Sequence, residues 1–223
     1  ARTPGADAPF ERLPRGRRVA DVEGYAEGAF IVQDPATAGA VELLSVAPGL
    51  KVLDFCAAPG GKSIQAAWRM DGGRDGGRLV CMEVNPVRRR RLEENLRRVR
   101  LGWVQTVAEI ADGEMFDRVL ADVPCSNTGV LRRRPDARWR WTGEHLAELA
   151  GLQSAILARA ASHVAPGGIL VYSTCSCEPE ENREQVAKFL ADNPGFEKIG
   201  ERESVPFVTG HDGAFACALR RKG

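Results

Sequence analysis

Four runs of the chain are almost continuously apolar over four or five residues: 51–55 (KVLDF), 78–82 (RLVCM), 118–121 (RVLA) and 169–173 (ILVYS). Such runs, with no alternation of polar positions, are the pattern of strands buried on both faces. A weaker strand is predicted at 103–107, and two more at 196–199 and 214–219. Between them, helical spacing predicts helices over 36–47, about 63–70, 86–100, 144–164 and about 180–191. Pro48-Gly49 ends the first of these, Pro86 opens the basic third one and Gly102 is expected to close it. The segment 71–77 (DGGRDGG) reads as a loop, Pro166-Gly167-Gly168 as a turn, and 123–142 as a long irregular stretch. Alternating strands and helices argue for one α/β domain, a parallel sheet with helices on both faces.

Length and composition agree with that picture. The 223 residues suffice for one large domain, and 43% hydrophobic content at a net charge of +1 argues against a disordered chain. No apolar run reaches membrane-spanning length, and Ala1-Arg2-Thr3-Pro4-Gly5 opens no apolar signal core, so no membrane association is expected. The chain begins without Met, as a trimmed N-terminus would. Six cysteines (56, 81, 125, 175, 177 and 217) without an export signal read as reduced thiols of a cytoplasmic protein. The closest pair, Cys175-Ser176-Cys177, has no zinc-ligand spacing, and His145, His163 and His211 add none, so no metal is expected.

Near-neutral charge hides a bias, because 26 of the 31 basic residues are arginine. They cluster at Arg15, Arg17 and Arg18, at 88–91, at Arg97, Arg98 and Arg100, and at 132–134 with Arg138 and Arg140. Guanidinium groups suit phosphates and bases, although each cluster taken alone also fits a solvated helix face.

Chemistry is expected where polar or Gly-rich segments leave the strand ends, since ligands of open α/β sheets bind there. Four segments qualify: 56–62, 83–85, 122–129 and 174–177. In the first, Gly60 and Gly61 let a ligand approach the backbone, and the helix that follows offers free N–H groups. Its spacing is neither a Walker A loop nor a dinucleotide fingerprint. Glu83 ends the next strand, where a carboxylate can hold ribose hydroxyls; the alternative is a surface carboxylate paired with the arginines after it. Cys81, Cys177 and Cys217 read as inert core thiols, whereas Cys125 and Cys175 follow strand ends among polar residues. If those two strands are neighbours, both thiols face one cavity beside Asp122.

Three runs together are distinctive: 52–62 (VLDFCAAPGGK), Asp122-Val123-Pro124-Cys125-Ser126, and Tyr172-Ser173-Thr174-Cys175-Ser176 with Pro179-Glu180-Glu181-Asn182. They resemble the RNA cytosine-C5 methyltransferases of the RsmB/RsmF, or Fmu/Sun, family. Gln33-Asp34 is similar to that family's entry motif and 211–215 (HDGAF) to its closing strand, so the resemblance covers roughly residues 28–221. Residues 1–27 are then an N-terminal extension and 28–223 the catalytic domain.

The resemblance implies a class I methyltransferase fold, a Rossmann-like, seven-stranded, mostly parallel sheet, using S-adenosylmethionine. Its cofactor contacts carry over onto Cys56, Ala57, Ala58, Pro59, Gly60, Gly61, Lys62, Glu83 and Asp122. A further acid after the third strand matches Asp112, with Glu109 as rival. Cytosine carbon 5 is too weakly nucleophilic to take a methyl unaided, and a thiolate adding to carbon 6 activates it. By resemblance Cys175 is that nucleophile. Cys125 assists proton removal and enzyme release, Asp122 bonds the base edge, and Lys62 supports the site. Pro124-Cys125 alone would also fit a DNA cytosine methyltransferase; the second thiol favours the RNA family. The arginines of 132–140 are expected on RNA phosphates, and Trp139 and Trp141 either stack on bases or pack the loop. The implied partner is RNA, ribosomal ahead of transfer RNA, bound by a monomer, with a non-catalytic RNA-binding factor on the same fold as the alternative.

Overall fold

The computed structural model of the chain describes residues 10–13, 16–73 and 75–223. Arg15, the first five residues and Arg74 of the 71–77 loop lie outside the described residues. Seven strands form one sheet: β1 Lys51–Asp54, β2 Arg78–Met82, β3 Gln105–Val107, β4 Phe116–Asp122, β5 Val164–Thr174, β6 Phe196–Ser204 and β7 Ala214–Arg221. Their order is β3-β2-β1-β4-β5-β7-β6, with β7 antiparallel to its two neighbours and every other pairing parallel. This is the seven-stranded, mostly parallel sheet expected. The chain reverses direction of build between β1 and β4, which makes their C-terminal ends the crevice.

The helices are α1 Ala38–Leu44, α2 Gly61–Arg69, α3 Pro86–Arg98, α4 Ala137–Arg140, α5 Gly143–Ser162, α6 Arg183–Asp192 and α7 Pro206–Thr209. They cover both faces. Val52, Leu120 and Val171 point to one face and pack with Val41, Ile64 and Leu92 of α1, α2 and α3. Their chain neighbours Leu53, Val119 and Leu170 point to the other and pack with Leu157 and Val186 of α5 and α6. Alternation within a strand thus divides two apolar cores, which explains why the strands read as nearly continuous apolar runs.

Several boundaries differ from expectation for local reasons. α1 stops at Leu44 because Ser45 turns left-handed (φ 51°). α3 begins as predicted, with Asn85 Oδ1 accepting the Val87 and Arg88 N–H groups at 3.0 and 3.1 Å. Its left-handed stop is Arg100 (φ 60°), however, and not Gly102. β5 runs through Pro166-Gly167-Gly168 as a bulge, since the register jumps from Phe116↔Val164 to Arg118↔Ile169. Near the N-terminus, the Arg98 guanidinium lies 4.0 Å over the Tyr25 ring and donates to Tyr25 O (2.6 Å) and Phe30 O (3.0 Å). That pins residues 25–30 to α3.

Candidate active site

β4 and β5 are parallel neighbours with Asp122 opposite Ser173, so the loops that leave them run side by side. Cys125 lies three residues beyond the first position and Cys175 two beyond the second, and their Sγ atoms come within 3.3 Å. Ser173 Oγ donates to Asp122 Oδ1 (2.6 Å) while Lys62 Nζ, from the first turn of α2, donates to Asp122 Oδ2 (2.7 Å). One carboxylate therefore joins β4, β5 and the Gly-Gly-Lys turn. Lys62, Ser173, Thr174 and Cys175 line a cavity of about 220 Å³ bounded by α1 and the adjoining ends of β6 and β7.

The thiols are not alike. Burial pushes Cys56 up to about 12 and Cys217 to about 11, and raises Cys81 and Cys177 as well. Cys125 is raised too, by its hydrogen bond with Cys175 and then by burial. Cys175 is the one described cysteine whose pKa is lowered. Its contact with Cys125 is the largest cause and the Lys62 charge helps, against burial and the Asp122 charge. Cys125 is thus the proton holder and Cys175 the incipient thiolate. Burial works against the Lys62 charge, but Asp122 outweighs it and keeps Lys62 protonated.

The motif 179–182 buttresses both loops. Buried Glu181 accepts the Ser126 N–H (2.8 Å), the Ser126 hydroxyl and the Gln153 amide (2.8 Å). Asn182 bonds the Thr174 hydroxyl (2.6 Å) and the Ser176 carbonyl (2.9 Å). Gly129 N–H donates to Cys175 O (3.0 Å), closing the two loops on each other.

At the end of β1, Gly60 takes a left-handed turn (φ 104°), and a Cβ there would lie 2.7 Å from Leu92. Gly61 faces the Gln33 amide, which a Cβ would approach to 3.3 Å. Among the described residues no side chain caps α2, so its first N–H groups can receive an anion. Two buried oxygens near this turn, Gln33 Oε1 and Asp54 Oδ1, have no hydrogen-bond partner among the described residues. Asp54 Oδ2 accepts from Ser63 (2.6 Å), and burial raises this carboxyl to about 7. Glu83 is buried rather than on the surface, yet it also meets the arginines: Oε1 accepts Asn85 N–H (3.0 Å) and Oε2 lies 3.3 Å from Arg88. Arg88 reaches on to Ala58 O (3.1 Å), linking α3 to the 56–62 turn. A cradle shaped by glycine, an uncapped helix end and unpartnered acceptors fits a zwitterionic nucleoside.

Not every expected residue joins this site. Asp112 sits exposed in the turn after β3 with no side-chain bond among the described residues, and Glu109 is exposed and paired with Arg159 (3.2 Å). Cys177 is exposed instead of belonging to the core. Arg133, though half-exposed, bridges buried Asp34 (2.6 Å) and Asp212 (2.7 Å), so part of the basic segment is structural. Sequence reasoning missed four contributing residues: Ser173, Asp54 with its partner Ser63, and Asn127. Asn127 is left-handed (φ 62°), accepts from Cys175 Sγ (3.2 Å) while that sulfur keeps its proton, and donates to Cys125 O (2.7 Å). The available signal was a polar side chain in a turn two residues after the Pro-Cys pair.

Comparison with known proteins adds the following. Residues 41–211 match the family model described as 16S rRNA methyltransferase RsmB/F. A ribosomal RNA small subunit methyltransferase B from Serratia proteamaculans is 38% identical over 217 residues, which cover 90% of this chain and 49% of that protein. The crystal structure of PH0851 superposes with a TM-score of 0.86 at 30% identity, covering 92% of this chain and 50% of the other. NSun6 from Pyrococcus horikoshii with SFG gives 0.83 at 26% identity, over 95% and 57%. The chain spans about half the length of the curated relatives it matches.

Proposed function

The chain belongs to the 16S rRNA methyltransferase RsmB/F family, and from that premise we propose that it is an S-adenosylmethionine-dependent RNA methyltransferase that forms 5-methylcytosine, in ribosomal RNA ahead of transfer RNA. It acts as a cytoplasmic monomer. The observation that carries the reading is the pair of unlike thiols 3.3 Å apart at adjacent strand ends, beside the Lys62–Asp122 pair.

S-adenosylmethionine, when bound, supplies the electrophilic methyl group. The 56–62 turn and the α2 N-terminus would hold its amino-acid end, and Glu83 its ribose. Asp112 is the proposed adenosine-side acid, and its exposed position gives that assignment the least support. The cytosine must leave its stack to reach the thiols. The Cys175 thiolate adds to carbon 6, breaking the 5,6 double bond and placing electron density on carbon 5, which takes the methyl. Once Cys175 is consumed in the adduct, its hydrogen bond and charge no longer hold the Cys125 proton; that proton passes to solvent, and the Cys125 thiolate takes up the carbon 5 proton. The double bond then re-forms as the bond to Cys175 breaks and the thiolate is regenerated. Asp122, fixed by Ser173 and Lys62, is placed to hydrogen-bond the base edge.

Transfer of labelled methyl to total RNA tests this reading. Cys175→Ala is expected to lower transfer at least about a thousandfold, as removal of a covalent nucleophile does. Cys125→Ala is expected to accumulate RNA covalently joined to the protein. Unreduced transfer by Cys175→Ala would sink the mechanism, and mapping the label names the RNA.

A further inference from the structure

A second cavity, of about 680 Å³, lies beyond the thiol loops, between the 128–141 segment and α7. Leu131, Arg132, Arg138, Trp141, Phe207 and His211 line it. Two aromatic side chains of this lining stay in solvent, Phe207 at 90% exposure and Trp141 at 47%, and so does Trp139 (79%), two residues before Trp141. A monomer has no folding reason to leave such rings uncovered together, so the patch calls for a ligand. Charge indicates which kind. The Arg138 guanidinium rests on the Trp139 ring (5.1 Å) and pairs with no carboxylate among the described residues. Of the two lining carboxylates, Asp212 is neutralised by Arg132 (3.4 Å) and Arg133 (2.7 Å), which leaves Glu178. The inner wall also carries Cys177, two residues from Cys175 and so at most about 7 Å away along the chain. Cys177 N–H donates to Thr128 Oγ1 (3.0 Å), in the loop that carries Cys125.

We propose that this cavity binds the base of an unpaired nucleotide flanking the target cytosine, in contact with the Trp141 and Phe207 rings and with its phosphate on Arg138. The proposal rests on the RNA-methylation reading and adds to it the means by which single-stranded RNA is held beside the thiols. Aromatic rings serve any base, and an unpaired guanidinium serves the backbone, so the grip selects single strands more than sequence.

The test is binding of a fluorescein-labelled, cytosine-containing single-stranded oligoribonucleotide to the unaltered chain and to Trp141→Ala, Phe207→Ala, Trp141→Phe and Arg138→Ala, with melting curves to confirm folding. Loss of one stacked base is expected to weaken binding about 5- to 150-fold in Trp141→Ala and Phe207→Ala, with Trp141→Phe retaining most of it. Arg138→Ala is expected to reduce the salt slope by about 0.7. RNA binding by these variants equal to that of the unaltered chain overturns the proposal, as does no RNA binding by the unaltered chain. Equal RNA binding together with loss of self-association would assign the patch to a second copy, and also overturns it. Binding that depends on these residues in a chain that methylates no RNA would leave the site standing and remove the methylation reading. Methylation with equal binding by the variants would do the reverse.

Discussion

Cys125 and Cys175 have the same side chain and opposite protonation tendencies, and the difference lies in what each one touches. Cys125 is almost wholly buried, while Cys175 takes its hydrogen bond and is stabilised as a thiolate by the Lys62 charge. A lowered pKa means that Cys175 reaches the thiolate at lower pH than the same thiol would without its Cys125 contact. Removing Cys125 removes the largest lowering influence, so the Cys175 pKa should rise in Cys125→Ala. Site-resolved alkylation of Cys175 by iodoacetamide, followed against pH, reads this without requiring turnover. The inflection is expected to move upward in Cys125→Ala and the rate at pH 7.5 to fall. An unmoved inflection would mean that the Cys125 contact does not tune the nucleophile.

At the scale of elements, the two thiol loops hold their register because backbone meets backbone with no room between. Gly129 N–H donates to Cys175 O and Gly213 N–H to Gly129 O (2.7 Å). A Cβ on Gly129 would stand 2.7 Å from Cys175 O and 2.8 Å from Gly213 Cα, and neither atom can swing aside. Gly129→Ala is therefore expected to cost about 1–3 kcal/mol, the usual penalty of overpacking, in chemical denaturation. Gly102→Ala meets nothing within 4 Å and should change stability by no more than about 0.5 kcal/mol. Equal stability of the two variants would show that the loops relax freely. β6 illustrates the opposite problem, an element longer than its apolar signal. It runs to Ser204 through Glu201, Arg202 and Glu203, exposed or half-buried charges of an edge strand held partly by Arg183 pairing with Glu201 (3.0 Å) and Glu203 (2.7 Å).

At the scale of the whole molecule, Arg133 fastens three distant stretches. Its guanidinium spans Asp34, ahead of α1, and Asp212, ahead of β7, and Asp212 N–H itself donates to Asp34 Oδ1 (3.1 Å). Burial alone would raise the Asp34 pKa, but the Ala36 and Asp212 N–H groups and then Arg133 hold it below the usual carboxylate range. Arg133→Ala would leave two buried carboxylates with Arg132 alone. An expected loss of about 2 kcal/mol in denaturant unfolding follows, reduced from a fully buried pair because Arg133 is half-exposed. Arg133→Lys should recover only part, since an ammonium cannot span both carboxylates. A change within about 0.5 kcal/mol would show the clamp to be incidental.

The sequence by itself determined the layers and the location of the chemistry. Almost continuously apolar runs such as 51–55 and 78–82 specify strands buried on both faces, and Gly-rich or thiol-bearing segments at their ends specify where a ligand can sit. Only the tertiary structure decided which of those segments meet. Cys125 and Cys175 are 50 residues apart and become neighbours because β4 and β5 pair in parallel with Asp122 against Ser173. The same holds for Arg133, whose run of arginines looks like a solvated surface until two buried carboxylates from remote turns close on it. Local pattern encodes which face of an element is apolar; pairing, register and the partner of a buried charge are non-local, and exist only once the sheet has formed.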